Sequence, residues 1–199
     1  MKNDTEQIIL NAARVIFKRK GFAGARMQEI ADEAKINKAM LHYYYTSKEL
    51  LFSKVFHEVI DEFLRFTVKL LDDKIDWKLK IKVAVCSFTD FFINQQDILP
   101  FVINEIHQNQ TLFEKQLSAD KLIAKTNFFI QINEAAKNKE IKNVDPIQIL
   151  VDMMSLVSFP LLAKPMIQSI SGYNDDVFKN FIEYRKELIV EMILKQYEL

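Results

Sequence analysis

Apolar positions in residues 26–48 repeat with a helical period in two short segments separated by a tight turn. In the first segment the apolar residues lie at i, i+3, i+4 and i+7 and are Met27, Ile30, Ala31 and Ala34. This spacing predicts a short helix that docks one face on a core. The two segments together have the layout of a helix-turn-helix, a motif whose second helix enters the major groove of DNA.

The second segment begins after Asn37, a strong N-cap, because its side-chain oxygen can accept a hydrogen bond from a backbone N–H of the first turn. Its residues Leu41, Tyr44 and Tyr45 share one face, which is predicted to point inward. The opposite face is left toward solvent or a ligand and holds Lys38, Ala39, Met40, His42 and Tyr43. An outward face this rich in aromatic rings indicates a binding surface.

Helices are also predicted on either side of this motif. The first is expected to begin at Asp4, with Gln7 completing a capping box, and to end at residues 18–21, where three cations and a glycine suit a helix C-terminus. A long helix capped by Thr46 or Ser47 follows the motif and runs to about residue 70. This helix joins the N-terminal motif to the rest of the chain.

Five further helical segments are predicted near residues 76–95, 97–108, 110–138, 145–164 and 174–197. Asp145 and Pro146 form a clear start, with aspartate as the cap and proline at the first helical position. Pro160 and Pro165 are expected to kink or end the helix that begins there.

Composition favours an all-α fold. The chain has 199 residues, of which 49% are hydrophobic and 27% charged, and only three are glycine. Strand-rich folds and phosphate-binding loops both use more glycine, and no extended run alternates with period two. The N-terminus lacks the apolar stretch of a secretory signal, and the most apolar segment, residues 147–163, contains Asp152 and Pro160. We therefore expect a cytoplasmic protein without a membrane span.

The first 50 residues resemble the N-terminal signature of the tetracycline-repressor (TetR/AcrR) family of transcriptional regulators. The matching positions are Gly21-Phe22, Ile30-Ala31, Ala34-Lys35-Ile36-Asn37, Leu41, Tyr44-Tyr45 and Ser47-Lys48-Glu49-Leu50-Leu51. The resemblance implies that three N-terminal helices bind DNA as one half of a dimer. It also implies that the C-terminal helices dimerise and often hold a small-molecule effector. We accordingly expect a DNA-binding domain over residues 1–48 and an effector-binding and dimerisation domain over 49–199.

Four positions depart from the family pattern. Ala25 and Arg26 replace the usual hydroxyl cap, which costs the following helix about 1 kcal/mol. Lys35 stands where the family usually has glycine, and a left-handed backbone there costs roughly 1 kcal/mol. His42 stands where tyrosine is usual. These changes leave the fold assignment intact, but the sequence of the DNA site cannot be inferred through them.

The DNA-binding residues are expected to be Arg26, Asn37, Lys38, Ala39, Met40, His42, Tyr43 and Lys48. Residues 1–48 carry nine Lys/Arg and five Asp/Glu, a net charge of +4 in a chain whose overall charge is zero. On charge alone a solvated helix face is favoured over a phosphate-binding surface, and the helix-turn-helix spacing reverses that preference. Arg26 and Lys48 are the candidates for phosphate contacts, the latter at a helix N-terminus, whereas Tyr43 could contact phosphate through its hydroxyl or a thymine methyl through its ring.

The last predicted helix has a wider apolar stripe than the surface helix of a monomer needs. The stripe comprises Val177, Phe178, Phe181, Ile182, Tyr184, Leu188, Ile189, Met192 and Ile193. A second partner is therefore expected, and another copy of the chain, paired through the last two helices, would make a homodimer. Such a dimer is expected to bind palindromic double-stranded DNA.

Phenylalanine is frequent in the C-terminal region, where it could form plain core or line a cavity for a small apolar organic effector. The candidate effector-binding residues are Phe88, Phe91, Phe92, Asn104, His107, Phe128, Gln131, Met153, Met154 and Phe159. Met153, Met154 and Phe159 would form the wall opposite the first phenylalanines, and Asn104, His107 or Gln131 would supply a polar anchor.

No catalytic or metal-binding constellation stands out. The three histidines lack the partners that a zinc site needs, and no nucleophile motif is present, so no enzyme, metal or cofactor is expected. The favoured function is a dimeric repressor released from DNA by an effector. The alternative is a constitutive DNA-binding or protein-interaction module without an effector, and a small-molecule enzyme is a distant third.

Overall fold

A computed structural model describes residues 2–108 and 122–199, with side chains from 4–104 and 122–199. Within these ranges there is no strand, only an isolated bridge between Ile141 and Glu198, so the all-α prediction is confirmed. The helices are α1 (Lys2–Gly24), α2 (Met27–Glu33), α3 (Lys38–Tyr44), α4 (Lys48–Leu71), α5 (Trp77–Asn94), α6 (Ile98–Gln108), α7 (Asn127–Lys137), α8 (Pro146–Leu162), α9 (Lys164–Ser171) and α10 (Asp175–Tyr197), with a 3₁₀ turn at Ile123–Lys125.

The described residues form two compact units. The first unit holds residues 2–64 and 97–108, and the second holds residues 65–96 and 122–199, so that one boundary lies inside α4 and another lies between α5 and α6. Helix α4 contributes to both, and α6 belongs with the N-terminal helices. The domain boundary that we placed at residue 48 remains a prediction, because a compact unit of contacts need not coincide with a functional domain.

The starts of α3 and α4 follow from local capping. Asn37 Oδ1 accepts from the backbone N–H of Met40 at 2.7 Å, and Ser47 Oγ accepts from that of Leu50 at 3.2 Å. Both caps were predicted. The expected start at Asp4 is wrong, because α1 already begins at Lys2. Gly21 adopts φ +66°, a conformation that favours glycine, and so permits the kink near the end of α1.

A phenylalanine cluster joins α1, α4 and α6 in the first unit. The ring of Phe52 packs against Phe17 at 4.9 Å and Phe22 at 5.0 Å between centroids. Phe101 of α6 lies 5.9 Å from Phe52 and 5.8 Å from Phe56. Because Phe17, Phe52, Phe56 and Phe101 are buried, this cluster fixes the start of α4 against α1 and gives α6 a direct contact with it.

In the second unit α5, α8 and α10 pack on one another, and α7 packs on α5 and α8. Asp76, Asp145 and Asn174 cap α5, α8 and α10 by accepting backbone N–H groups of the first turn. The core at their centre includes Phe88, Phe128, Ile132, Ile149, Met153 and Ile189. The helix that we predicted over 110–138 is described only at its end, as α7, since residues 109–121 lie outside the described part.

Pro160 does not end α8, which continues to Leu162. A bend of 66° separates α8 from α9, and Pro165 lies in the first turn of α9, where its missing N–H costs no helical hydrogen bond. The break predicted from the two prolines is therefore confirmed, but it lies after Pro160.

Judged by length and composition, no single helix in the described ranges could cross a membrane, although the bent pair α8 and α9 together could.

Candidate nucleic-acid interface

Helix α3 has one buried face and one exposed face, as the spacing predicted. Leu41 and Tyr45 are buried, and Tyr44 is half-buried. The five residues of the outward face are all exposed: Lys38, Ala39, Met40, His42 and Tyr43. The side chain of Asn37 is exposed as well, but its oxygen is used in the cap, so its amide N–H groups are the part that remains for a ligand.

Two tyrosines with different surroundings orient this helix. Tyr45 points inward and its hydroxyl donates to Glu6 Oε1 at 3.2 Å, so it ties the end of α3 to α1. Burial, and then the nearby Glu6 carboxylate, raise the pKa of the Tyr45 hydroxyl well above its ordinary value. Tyr43 is 72% exposed and its ring packs edge-on against Tyr44 at 5.4 Å. Its hydroxyl therefore projects from a ring that a neighbour already supports.

Lys48 has a structural role that the sequence did not indicate. Its ammonium donates to the carbonyl oxygens of Phe22 at 2.9 Å and Ala25 at 3.2 Å, and it lies 4.4 Å from the centroid of the Phe22 ring. These carbonyls follow the kink of α1, where a cation is favourable. Two of the three ammonium N–H groups are thus used within the chain, so a phosphate contact, which remains a prediction, would depend on the third.

Arg26 and Lys35 flank α2, at its N-cap and in the turn that follows it. Arg26 is exposed at the N-cap of α2 without a capping hydrogen bond from its side chain, as expected from the missing hydroxyl. Lys35 is exposed and adopts φ +54°, the left-handed conformation that glycine would favour. Lys20 pairs with Glu29 at 2.8 Å, and this hydrogen bond lowers the pKa of the Glu29 carboxyl.

Comparison with known protein families identifies the domain that contains α2 and α3. Residues 9–55, which include α2 and α3, match the sequence profile of bacterial regulatory proteins of the tetR family. Residues 9–55 carry the N-terminal domain of the TetR family. These residues are thus a DNA-binding helix-turn-helix domain, and the resemblance recognised in the sequence is confirmed.

Individual relatives extend the comparison. The transcriptional repressor NicS of Pseudomonas putida is 31% identical over 105 residues, which are 52% of this chain and 50% of NicS, so the alignment spans about half of that relative. The solved structure of the regulator SCO4942 from Streptomyces coelicolor has a TM-score of 0.69 at 18% identity, covering 97% of this chain and 98% of its own. FadR from Bacillus subtilis, solved in complex with stearoyl-CoA, gives 0.62 at 14% identity over 94% and 97%. The two structures show that the chain shares the fold of these two regulators over most of its length.

The predicted effector residues do not line one observed cavity. Phe88, Phe128 and Met153 are fully buried within the second unit, and Phe92 is nearly so. Phe91 stacks on Phe66 at 4.7 Å, and Met154 is half-buried. These placements fit the plain core that we weighed against a cavity for the phenylalanines, while their role in binding a ligand is left untested.

Three further members of the predicted set are Phe159, Asn104 and His107. Phe159 is 57% exposed on α8, and its role as a wall of an effector site stays a prediction. Asn104 is exposed on α6 and belongs to the first unit, whereas Phe88, Phe128 and Met153 belong to the second. The side chain of His107 lies outside the described residues.

Gln131 is engaged with a residue that sequence reasoning missed. The ammonium of Lys80 is fully buried and donates to Gln131 Oε1 at 2.8 Å, while Gln131 Nε2 donates to the carbonyl of Ile75 at 3.0 Å. Burial lowers the pKa of Lys80. The i, i+3, i+4 pattern of α5 does place Lys80 on the inward face beside Trp77, Ile81 and Ala84, and this was the available signal.

A surface groove of about 360 Å³ runs between α5 and α10. It is lined by Lys82, Cys86, Lys186, Glu187, Val190, Glu191 and Leu194, and none of these belongs to the predicted effector set. Lys186 on its rim is held by Asp90 at 2.6 Å and Glu183 at 2.9 Å. The groove surface is therefore mostly apolar, and two of its charged residues, Lys186 and Glu191, pair with residues outside the lining.

Proposed function

We propose that the protein is a dimeric regulator that binds a palindromic duplex, with one α3 helix in the major groove at each half-site. The observation that carries the proposal is the exposed face of α3, on which Lys38, His42 and Tyr43 project while Leu41 and Tyr45 hold the helix to the core. Base edges in the major groove accept and donate hydrogen bonds and present thymine methyl groups, and these side chains can meet both.

The dimer is supported by apolar side chains that the single chain leaves exposed. On α10, Val177 is 43%, Tyr184 68% and Met192 46% exposed, and Phe181 and Leu188 on the same flank are half-buried. On α8, Ile147 is 46% and Val151 52% exposed. Contiguous apolar surface of this kind marks an interaction site in a soluble protein. We call these residues, with Phe159, the dimer surface.

Regulation by an effector is the second part of the proposal. An effector releases DNA only if it binds the DNA-incompetent arrangement more tightly than the competent one. FadR was solved in complex with stearoyl-CoA, and this supports an effector with a long apolar part for the present chain. In our proposal this effector binds in the C-terminal half and lowers DNA affinity. The full burial of Phe88, Phe128 and Met153 favours the alternative, a constitutive DNA binder whose second unit only dimerises.

Selection from a random duplex pool tests DNA binding directly. The purified protein should enrich a palindrome whose half-sites lie about one helical turn or slightly more apart, because each recognition helix must reach the same face of the duplex. The Tyr43→Ala variant should enrich no palindrome or one of a different sequence. The control variant Lys179→Ala, which changes an exposed residue of α10, should enrich the same palindrome as the wild type. A pool that shows no preference with the wild-type protein would contradict the proposal.

A titration of the recovered duplex with saturated fatty acids and acyl-CoA thioesters separates the two forms of regulation. An inducible regulator loses operator affinity at saturating ligand. A constitutive binder shows the same affinity throughout, even if the ligand binds elsewhere.

A further inference from the structure

Pro160 removes one backbone hydrogen bond from the interior of α8. In an α-helix the N–H of each residue bonds to the carbonyl four residues earlier, and proline has no N–H. The carbonyl of Leu156 therefore loses its helical donor, although the helix continues to Leu162. The last turn of α8 carries Phe159, which is 57% exposed on the dimer surface.

Arg185 of α10 supplies a donor to this carbonyl. Its Nη2 donates to the oxygen of Leu156 at 3.2 Å. The guanidinium lies over the ring of Phe181, 5.6 Å from the ring centroid. Because Phe159 is three residues after Leu156 and Phe181 four residues before Arg185, both rings neighbour the contact between the two helices.

The charge of Arg185 is not balanced by an acid. Among the residues that the structure describes, Arg185 makes no ion pair, and its Nε is buried without a hydrogen-bond partner. Burial alone lowers the pKa of the guanidinium. A half-buried cation without a counter-ion is costly, so an apolar residue here would pack more favourably unless the bond to Leu156 matters.

We propose that Arg185 is a positioning residue for dimerisation: its guanidinium replaces the N–H that Pro160 lacks and holds the last turn of α8 where a second copy of the chain contacts it. This inference rests on the dimer of the proposed function. Arg185 acts through the Leu156 carbonyl, and the groups that meet the second copy are the apolar side chains of the dimer surface, chiefly Phe159 and Phe181.

A double-mutant cycle tests this role, because Pro160→Ala restores the missing N–H. The dissociation constant of the dimer is measured by sedimentation for the wild type, Arg185→Met, Pro160→Ala and the double variant. Arg185→Met should weaken the dimer by about tenfold or more, whereas in the Pro160→Ala background the same change should cost about threefold or less. Lys179→Met, which removes an exposed charge from the same helix, should leave the dissociation constant unchanged.

Folding is followed in parallel by circular dichroism. If Arg185→Met fails to fold alone, recovery of a folded dimer in the double variant still supports the role, because only the restored N–H distinguishes the two proteins. The inference is overturned if Arg185→Met leaves the dissociation constant unchanged, or if the effects of Arg185→Met and Pro160→Ala on that constant are additive. Either result leaves the proposed dimer itself standing. A wild-type protein that sediments as a monomer overturns the dimer and this inference with it.

Discussion

The outward faces of α3 and α10 are both exposed in the single chain, yet their chemistry differs. The face of α3 combines a lysine, a histidine and a tyrosine with small or flexible residues. The exposed flank of α10 is apolar except for the Tyr184 hydroxyl. These two compositions suit different partners, and on this basis we propose that α3 takes the polar duplex and α10 a second apolar protein surface.

The largest effect is expected from a charge on the apolar face. Val151→Glu should raise the dissociation constant of the dimer by more than about a hundredfold, since an unpaired carboxylate would be buried against a second copy. Operator affinity should fall with it because each half-site would be bound singly. Sedimentation and DNA titration measure the two effects, and Gln148→Glu on the neighbouring exposed turn is the control.

The folded state of Val151→Glu must be intact for this test, which is why an exposed residue is chosen. Ile189, which belongs to the apolar stripe predicted for the last helix, is 2% exposed and lies in the core, so a charge at this position would unfold the chain instead. A folded, dimeric Val151→Glu variant would show that the α8 face does not form the interface.

Changes on α3 should act on DNA binding without affecting the dimer. Tyr43→Ala should lower the affinity for the selected duplex by about 1–3 kcal/mol, while the affinity for unrelated DNA changes little. Tyr43→Phe separates the two contacts: loss equal to that of alanine assigns the hydroxyl, and retained affinity assigns the ring. Equal losses on specific and unrelated DNA would instead make Tyr43 a contact without sequence information.

Lys48→Ala should affect folding before it affects DNA. The change removes two hydrogen bonds from an ammonium to backbone carbonyls, so the free energy of unfolding should fall by about 2 kcal/mol. If the third N–H meets a phosphate, the slope of log affinity against log salt should also fall by about one. Lys54→Ala, on the exposed side of the same helix, controls for the loss of charge.

An unchanged salt slope in a folded Lys48→Ala protein would remove the phosphate assignment and leave the structural role. An unchanged free energy of unfolding would contradict the structural role.

The contrast between the two faces also explains what the sequence could predict. The caps at Asn37 and Ser47 and the inward face of α3 depend on residues within a few positions of one another, so periodicity and cap chemistry suffice. The bonds of Lys48 reach carbonyls 23 and 26 residues earlier, and Arg185 reaches one 29 residues earlier. Contacts of this range depend on how helices pack, which local pattern does not encode.

The positions of the candidate effector residues also depend on how the helices pack. The periodicity of α8 shows that its apolar residues cover most of its circumference, but it does not say which side faces the core. Packing against α5 and α10 buries Met153 and leaves Phe159 exposed. The phenylalanines of the second unit were therefore recognised as apolar contacts, and their division between core and surface needed the structure.

The smallest effect is expected in the turn before α3. Lys35→Gly should raise the free energy of unfolding by about 0.5–1 kcal/mol, because glycine adopts φ > 0 without the steric cost of a Cβ. Lys139→Gly, at the other non-glycine residue with positive φ among the described ranges, should behave alike. Lys137→Gly, in α7, should instead lower the free energy of unfolding by a similar amount. Destabilisation by Lys35→Gly would show that the lysine side chain contributes more than its backbone costs.

The most direct test of the account is a titration of the selected duplex against one in which a single half-site is scrambled. With α3 of each protomer in its own half-site, the wild-type protein should bind the intact palindrome with two chains per duplex and lose at least about tenfold in affinity on the scrambled one. Val151→Glu should bind both duplexes with the same low affinity. Equal wild-type affinity for the two duplexes, or one chain per palindrome, would contradict the dimeric regulator.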